Sequence, residues 1–415
     1  MIDIKKLRDN PELVKQALKK RGYDLDISLF SQLDSSRKSL QVDAENLQAE
    51  RKKLSAEFGK LKSSGDPTDE LKKIIDSKNE EFSSKDMELQ KIMNQIDSLM
   101  LDMPNIPDDS APEGKDESEN VVIKEYGKII SINELDHLEI AADIDTDLAS
   151  KLAGSRFSVL KGDIAKLQRS LISFMLDNAI KNGYQEYYVP FMANSESLTG
   201  TGQLPKFEED LFKTNEKLYL IPTAEVPLTN LFRDEFVGEK ELPIKVTSHT
   251  PCFRSEAGSY GKDTKGLIRQ HQFEKIELVQ ITHPDDSMKC LDILLSNACE
   301  ILDLLELPYQ VIELCKGDLG FSSAKTFDIE VWMPSQNKYR EISSCSNFTD
   351  FQARRANIKY KSESGNNYVH TINGSGLAVG RCLIALIENN FDGSNYVKIP
   401  KCLQEYFGSD LLKVS

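Results

Sequence analysis

The sequence of 415 residues has few of the side chains that build metal centres and disulfides. Its five histidines are scattered and its seven cysteines include no Cys-x-x-Cys pair, so neither a zinc site nor a disulfide framework is indicated. No apolar run approaches the length that spans a bilayer, and the N-terminal stretch lacks the apolar segment of a signal peptide. We therefore expect a cytoplasmic protein, away from membranes, whose thiols are buried and reduced.

The sequence also lacks an excess of positive charge. Its net charge is −15 at pH 7, which argues against general affinity for nucleic acid but says nothing about a local patch. Charged residues make up 29% of the chain and hydrophobic residues 39%, a profile typical of globular proteins. At this length we expect two domains.

The strongest periodicity predicts a helical hairpin at about residues 28–101. Leucines recur every seven residues from Leu33 to Leu61. The stretch from Ser63 to Pro67 breaks this pattern, and residues 71–99 then carry apolar side chains at a spacing of three or four. Two helices of about 35 residues on either side of a tight turn must pair antiparallel. A short helix at residues 3–20, broken at Asn10–Pro11, precedes them.

Basic residues gather at the far end of the first long helix, whereas the second long helix is net acidic. These residues are Arg51, Lys52, Lys53, Lys60 and Lys62. A positive end on an otherwise acidic protein fits a salt-sensitive contact with a phosphate backbone. A purely structural or dimerising coiled coil is the alternative interpretation of the same pattern.

Residues 102–120 are rich in proline and acidic side chains and lack any period, which is typical of a linker. We therefore predict an N-terminal domain at 1–103, a linker at 104–120 and a second domain at 121–415. Short strand-like runs mixed with helices predict that the second domain is α+β, with a mainly antiparallel sheet flanked by helices. One such unit is a helix from Gly162 to Asn182, followed by a strand from Glu186 to Val189 and Pro190.

The stretch from Pro251 to Glu277 predicts an antiparallel hairpin with a long loop. One strand ends near Arg254 and the other runs from Ile268 to Leu278. The loop is rich in glycine and charge: Gly258, Gly261, Lys262, Asp263, Lys265 and Gly266. A guanidinium is well suited to gripping carboxylate and phosphate oxygens together. The candidate functional residues of the hairpin are one arginine, one aromatic ring and two carboxylates: Arg254, Phe273, Glu256 and Glu277.

Three further stretches place polar groups at the ends of predicted elements. Thr223-Ala224-Glu225 puts a carboxylate just after a strand. Glu341–Ser344 follows the strand-like residues 327–333. Asn373–Arg381 is a glycine-rich entry into an apolar helix, where an arginine can face a phosphate. Taken alone, each of these stretches has an ordinary structural explanation.

Taken together, these stretches resemble the motifs of class II aminoacyl-tRNA synthetases. Residues 251–277 closely resemble motif 2 and, within that class, the seryl-tRNA synthetases. The helix, strand and proline at 162–190 resemble motif 1, which builds a dimer interface, and residues 373–381 resemble motif 3. The helical hairpin resembles the arm with which seryl-tRNA synthetases grip the long variable arm of their tRNA.

The resemblance implies a homodimeric enzyme that activates L-serine with ATP and Mg²⁺ and transfers it to tRNA(Ser). Where the organism has a selenocysteine tRNA, the resemblance suggests that tRNA(Sec) could also be charged. It implies no DNA partner. Two alternatives are a class II paralogue that loads serine or another small amino acid on a carrier protein, and a non-catalytic RNA-binding relative. Such carrier-loading relatives lack the long arm, and the matching ATP positions disfavour a non-catalytic relative.

The resemblance also implies roles for individual residues. The catalytic residues would be Arg254 and Arg381. L-serine would contact Thr223, Ala224, Glu225, Glu277 and Ser375. ATP would contact both arginines together with Ser255, Glu256, Gln270, Phe273, Glu341, Ile342, Ser343 and Ser344. Mg²⁺, which favours hard oxygen ligands and keeps several waters, would be held by Glu341 and Ser344. The tRNA would contact Arg51, Lys52, Lys53, Lys60 and Lys62.

Overall fold

A computed structural model describes residues 1–129, 134–257, 266–363 and 365–414. The chain divides into two compact units. One comprises Ile4–Lys19 and Tyr23–Met103, and the other comprises Met1–Asp3, Lys20–Gly22 and Pro104–Ser415. Within the described ranges, none of the helices combines the length and the apolar character needed to cross a membrane.

The smaller unit is entirely helical and contains the predicted hairpin. Its helices are α1 (Ile4–Asp9), α2 (Pro11–Lys19), α3 (Ile27–Ser64) and α4 (Asp69–Asp102). The side chain of Asp26 accepts a hydrogen bond from the Leu29 N–H and so caps the start of α3. Gly65, with φ +81°, ends α3 in the left-handed conformation that glycine adopts without strain.

Two lysines occupy positions in the otherwise apolar row of α4, and both reach carboxylates of α3. Lys78 Nζ lies 3.2 Å from Glu50 Oε2, and Lys85 Nζ lies 3.6 Å from Asp43 Oδ2. Their aliphatic stems can cover the apolar seam while the ammonium groups stay at its edge. The predicted antiparallel pairing of the two long helices is confirmed.

The larger unit is built from many short strands with helices between them. Its helices are α5 (His137–Ile140), α6 (Thr146–Ala153), α7 (Gly162–Lys181), α8 (Ser195–Thr201), α9 (Glu225–Asn230), α10 (Ser287–Leu304), α11 (Phe351–Arg355), α12 (Val379–Asn390) and α13 (Lys401–Phe407). Its strands are β1 (Val121–Tyr126), β2 (Ile144–Asp145), β3 (Val159–Leu160), β4 (Gln185–Glu186), β5 (Met192–Ala193), β6 (Tyr219–Leu220), β7 (Phe236–Gly238), β8 (Ile244–Phe253), β9 (Gln272–Thr282), β10 (Tyr309–Glu313), β11 (Lys325–Met333), β12 (Lys338–Asn347), β13 (Lys359–Ser362), β14 (Gly365–Tyr368), β15 (His370–Ala378), β16 (Tyr396–Lys398) and β17 (Leu411–Lys413).

Eight of these strands form one sheet in the order β1-β10-β11-β12-β15-β9-β8-β4. Every neighbouring pair in it is antiparallel except β4, which runs parallel to β8. Helices α7, α10 and α12 each contribute fully buried leucines to the core that covers the sheet, among them Leu167, Leu294 and Leu383. The α+β prediction with a mainly antiparallel sheet is confirmed.

Two predicted strands differ in extent from the structure. The second strand of the hairpin begins at Gln272 rather than Ile268 and continues to Thr282, because residues 268–271 bend before the ladder with β8 begins. The predicted strand from Glu186 to Val189 is reduced to Gln185–Glu186. The Tyr187 N–H makes one further hydrogen bond, to the Thr247 oxygen of β8, whereas Tyr188 is 89% exposed.

The proline-rich segment from Pro104 onward is part of the larger unit. The Asn105 side chain is buried and donates to the carbonyl oxygens of Ser322 and Phe348. The Asp108 N–H donates to the Ala324 oxygen at 2.8 Å. A stretch without periodicity is therefore ordered here by hydrogen bonds to distant parts of the chain.

Candidate active site

One cavity of about 800 Å³ in the larger unit brings together most of the predicted site residues. Strands β9, β12 and β15, the residues that directly follow β8, the start of α12 and the segment before α9 contribute to its walls. The predicted residues that line it are Thr223, Glu225, Arg254, Glu256, Gln270, Phe273, Glu277, Glu341, Ile342, Ser344, Ser375 and Arg381. Its volume falls in the range usual for small-molecule sites.

Three predicted residues lie outside this lining. Ala224 is fully buried in an apolar cluster behind the cavity. The Ser255 hydroxyl donates to the Glu209 oxygen, and the Ser343 hydroxyl donates to the Ser375 oxygen at 2.6 Å. These two serines therefore brace the neighbouring main chain.

The Arg254 guanidinium is held against an aromatic ring at the end of β8. Its carbon Cζ lies 5.3 Å from the centre of the Phe273 ring, a distance at which a cation is attracted to the π face. Its Nε donates to the Pro222 oxygen at 3.4 Å, and its main-chain N–H donates to the His271 oxygen. The Arg254 side chain is thus anchored at two points in the cavity wall.

Glu256 follows in a left-handed backbone conformation, with φ +54°. Its Oε2 accepts a hydrogen bond from Arg269 Nη1 at 3.1 Å across the base of the hairpin. Arg269 also lines the cavity. It was missing from the sequence prediction because it lies in the bend before β9, outside any strand alternation.

A cluster of three buried, hydrogen-bonded side chains lines the cavity. Lys275 Nζ donates to Thr223 Oγ1 at 2.9 Å, and Thr223 Oγ1 donates to Glu277 Oε2 at 2.7 Å. Lys275 also forms an ion pair with Glu277, which is only 1% exposed. Ser375 on β15 lies directly opposite Glu277 on β9. Lys275 was missed, although strand alternation from Phe273 through position 275 to Glu277 could have found it.

Glu225 is the second buried carboxylate, at the start of α9. It is 8% exposed and accepts a hydrogen bond from Gln352 Nε2 at 2.6 Å. Gln352 is oriented in turn by the Thr371 hydroxyl, which donates to its Oε1 at 2.7 Å. Burial, followed by the charge of Glu277, raises the pKa of Glu225 to about 7.

Arg381 lies in the first turn of α12 and lines the cavity. Its Nη1 donates to the main-chain oxygen of Glu341, and its Nε donates to the oxygen of Ile268 at 3.1 Å. The carboxylate of Glu341 lies 4.0 Å from Nη1. Two carbonyl oxygens therefore set the direction of the Arg381 guanidinium.

Oxygen donors gather where β11 and β12 pair. Asp328 and Ser344 are opposite each other in the ladder, and Glu341 lies nearby on β12. Burial and the charge of Glu341 hold the pKa of Asp328 well above its ordinary range, and its Oδ1 has no hydrogen-bond partner among the described residues. Within the described ranges, no group of three or more His, Cys, Asp or Glu side chains could hold a metal. Mg²⁺ prefers carboxylate and hydroxyl oxygens and needs few protein ligands, so the side chains of Glu341 and Ser344 are chemically suited to hold it.

The predicted basic residues of the helical hairpin fall into two kinds. Lys52, Lys53, Lys60 and Lys62 are exposed on α3. Arg51 instead contacts α4: its Nε donates to Asn79 Oδ1 at 2.6 Å and its Cζ lies 4.4 Å from the Phe82 ring centre. The Arg51 side chain thus helps to hold the two helices together.

Most of the glycine-rich loop of the β8–β9 hairpin lies outside the described residues. This applies to Gly258, Gly261, Lys262, Asp263 and Lys265. Gly266 is described, and its φ of +72° is a left-handed conformation that glycine adopts readily.

All seven cysteines are free thiols, and six of them are buried, as predicted.

Comparisons with known proteins agree with this arrangement of a helical unit and a sheet-based site. A model of the class II tRNA synthetase core domain (G, H, P, S and T) matches residues 206–390. A model of the seryl-tRNA synthetase N-terminal domain matches residues 1–107. The fold and the matched core define a class II aminoacyl-tRNA synthetase.

Full-length relatives narrow the assignment. The serine–tRNA ligase of Thermodesulfovibrio yellowstonii is 50% identical over 424 residues, covering 100% of both chains. That of Hydrogenovibrio crunogenus is 50% identical, covering 98% of this chain and 99% of its own. The crystal structure of seryl-tRNA synthetase from Pyrococcus horikoshii complexed with ATP is 36% identical, with a TM-score of 0.90 and full coverage of both chains. The chain belongs to the seryl-tRNA synthetase family.

Proposed function

We propose that this chain activates L-serine with ATP and transfers the seryl group to tRNA(Ser). The observation that carries the proposal is a cavity whose lining includes the anchored Arg254 guanidinium and the buried carboxylates of Glu225 and Glu277. In the first step the serine carboxylate attacks the α-phosphate of ATP, and seryl-adenylate and pyrophosphate form. In the second step a hydroxyl of the terminal ribose of the tRNA attacks the seryl carbonyl, the seryl group passes to that ribose and AMP leaves. The Pyrococcus relative was crystallised with ATP, which supports ATP as the nucleotide here.

Arg254 is the proposed clamp on both reacting anions. The serine carboxylate and the α-phosphate repel each other, so a fixed cation between them lowers the barrier to their approach. The contacts that anchor Arg254 to Pro222 and the Phe273 ring leave its planar fork able to donate hydrogen bonds to two oxygens at once. The Phe273 ring is proposed to stack on adenine, and Glu256 to accept a hydrogen bond from the adenine amino group.

The pair of buried carboxylates is proposed to recognise serine. Glu225 would bind the α-ammonium group, since a buried anion strongly favours a cationic partner. Glu277, with Thr223 and Ser375 beside it, would accept a hydrogen bond from the substrate hydroxyl. Alanine would leave that acceptor unpaired, whereas threonine must be excluded by lack of space for its methyl group.

Arg381, Glu341 and Ser344 are proposed to meet the triphosphate. Arg381 would grip its γ end, because carbonyl oxygens at its Nε and Nη1 direct the guanidinium along this wall. Glu341 and Ser344 would supply oxygens to Mg²⁺. When bound, Mg²⁺ neutralises phosphate charge that would otherwise repel the incoming carboxylate.

The helical hairpin is the proposed tRNA-binding device. Its four exposed lysines on α3 supply the positive charge that a phosphate backbone requires. We infer an N-terminal tRNA-binding domain at 1–103, a connection at 104–120 and a catalytic domain at 121–415. We also infer a homodimer in the cytoplasm.

Serine-dependent exchange of pyrophosphate into ATP tests the proposal. Wild-type protein should exchange with serine and far less with threonine or alanine. Arg254→Ala should reduce the exchange rate by roughly 10²–10³-fold, because a preorganised charge at the transition state is removed. No exchange by folded wild-type protein, or equal rates in wild type and variant, would refute the proposed function.

A further inference from the structure

A buried histidine joins the segment before β9 to helix α12. His137, at the start of α5, has a side chain that is 4% exposed, and its partner Glu388 on α12 is 1% exposed. His137 Nδ1 lies 3.0 Å from Glu388 Oε1, and the His137 main-chain N–H donates to the same oxygen at 3.2 Å. On the other side of the ring, the Leu267 N–H donates to Nε2 at 3.3 Å.

These contacts determine the tautomer of His137. A main-chain N–H can only donate, so Nε2 must present its lone pair to Leu267. The ring proton is therefore on Nδ1, where it is donated to the Glu388 carboxylate. Imidazole is neutral in this arrangement, and both of its nitrogens are used.

The His137 imidazole also limits which residue type can occupy position 266. A Cβ placed on Gly266 would lie 2.1 Å from His137 Nε2, a separation that no pair of such atoms tolerates. Gly266 additionally has φ +72°, a conformation that other residues adopt with strain. The imidazole and the glycine are thus matched to each other at the point where the described chain enters β9.

The link continues from this segment to the proposed triphosphate site. Leu267 and Ile268 both line the cavity, and the Ile268 oxygen accepts the Nε–H of Arg381. Arg381 and Glu388 belong to the same helix, α12. Together with the main chain, these hydrogen bonds form a closed circuit of contacts. It runs from His137 through Leu267, Ile268 and Arg381 back to Glu388.

We propose that His137 is a positioning residue for ATP: it fixes the Leu267–Ile268 main chain and, through the Ile268 oxygen, aims Arg381 at the triphosphate. His137 itself touches no substrate. This inference rests on the proposed function, because it assigns Arg381 to ATP. It predicts a higher KM for ATP and an unchanged KM for serine. The reason is that the hydrogen bonds of Glu277 and Thr223 in the proposed serine pocket involve none of these residues.

The test compares two amide substitutions in the full-length protein. In His137→Asn the amide N–H can still reach Glu388, but the acceptor for Leu267 is lost. In His137→Gln the longer side chain can place an acceptor near the former Nε2. We expect His137→Asn to raise the KM for ATP roughly ten-fold in pyrophosphate exchange, with the KM for serine unchanged, and His137→Gln to restore most of the loss. His283→Asn is the control: His283 hydrogen-bonds Tyr360, lies outside the cavity lining and should leave both KM values unchanged.

The outcomes separate this inference from the proposed function. Absence of exchange in wild type refutes the function itself. Active wild type with an unchanged KM for ATP in His137→Asn, or with equal rises in both KM values, refutes the positioning role. If His137→Asn does not fold, His137→Gln and the ¹⁵N spectrum of histidine-labelled wild type decide. A KM for ATP close to that of wild type in His137→Gln, together with an unprotonated Nε2 in wild type, supports the role, whereas a protonated Nε2, or equal rises in both KM values of His137→Gln, overturns it.

Discussion

The protonation of Glu225 is expected to control the pH dependence of serine binding. Burial and the charge of Glu277 raise the pKa of Glu225 to about 7, so the carboxyl is partly protonated at neutral pH. A protonated Glu225 cannot pair with the ammonium group of serine. Serine should therefore bind more weakly as the pH falls through this pKa, and binding should favour loss of the proton.

The magnitude follows from the shift. The change from 4.5 to about 7 corresponds to about 3 kcal/mol of extra free energy needed to ionise Glu225 in the folded chain. Because the folded-state pKa is raised, the stabilising contribution of the protonated carboxyl is complete below pH 4.5 and is lost as the pH rises through about 7. Relative to Glu225→Gln, wild type should thus lose up to about 3 kcal/mol of unfolding free energy over this interval.

Two measurements check this reasoning. In pyrophosphate exchange, the KM for serine should rise up to about ten-fold for each pH unit below 7 and level off above it. In urea unfolding, the difference in free energy between wild type and Glu225→Gln should change between about pH 4 and about pH 8 by the amount given above. Glu225→Gln, which has no titrating group at this position, should show a high KM for serine that varies little with pH.

A flat KM for serine across this range in wild type would refute the assignment of Glu225 to the ammonium group. An unfolding difference that stays constant with pH would refute the raised pKa itself. Because the second measurement involves no substrate, the two failures can be told apart.

Two further predictions concern the proposed serine pocket and the helical hairpin that is proposed to bind tRNA. Lys275→Met keeps the unbranched apolar stem of the side chain but leaves the Glu277 carboxylate buried without its cation. The free energy of unfolding should fall by about 3 kcal/mol, and the KM for serine should rise about ten-fold. An unchanged KM would mean that Lys275 does not position Glu277. The double charge reversal Lys60→Glu with Lys62→Glu should weaken tRNA charging most at low salt and leave pyrophosphate exchange unchanged, since these exposed side chains lie on α3; equal loss in both assays would contradict a separate tRNA-binding role.

The helical hairpin shows how far local pattern can be carried. A seven-residue leucine repeat, a breaker and a second apolar repeat are enough to predict two long antiparallel helices, because helical pairing depends on spacing along one chain segment. The same pattern could not predict that Arg51 contacts Asn79 and Phe82 rather than standing free. That depends on which residue of α4 falls opposite it.

The cavity likewise contains both residues that the sequence pattern could predict and residues that it could not. Strand alternation relates Phe273 to Glu277 and would have included Lys275, so this part of the cavity was accessible from the sequence. Gln352 and Thr371, which orient Glu225, are more than a hundred positions away and carry no motif of their own. The start of β9 at Gln272 rather than Ile268 likewise could not be predicted, because Leu267 and Ile268 make contacts with the distant residues His137 and Arg381.

Repeats and motifs written in consecutive residues were enough to predict the family, the two-part architecture and many of the side chains that line the cavity. The folded arrangement alone determined which carboxylate is buried enough to hold a proton near pH 7 and which lysine neutralises its neighbour. It also decided which histidine ties the cavity wall to α12. The physical reason is that burial, pKa and hydrogen-bond partners are set by segments far apart in the chain, whose meeting no local spacing encodes.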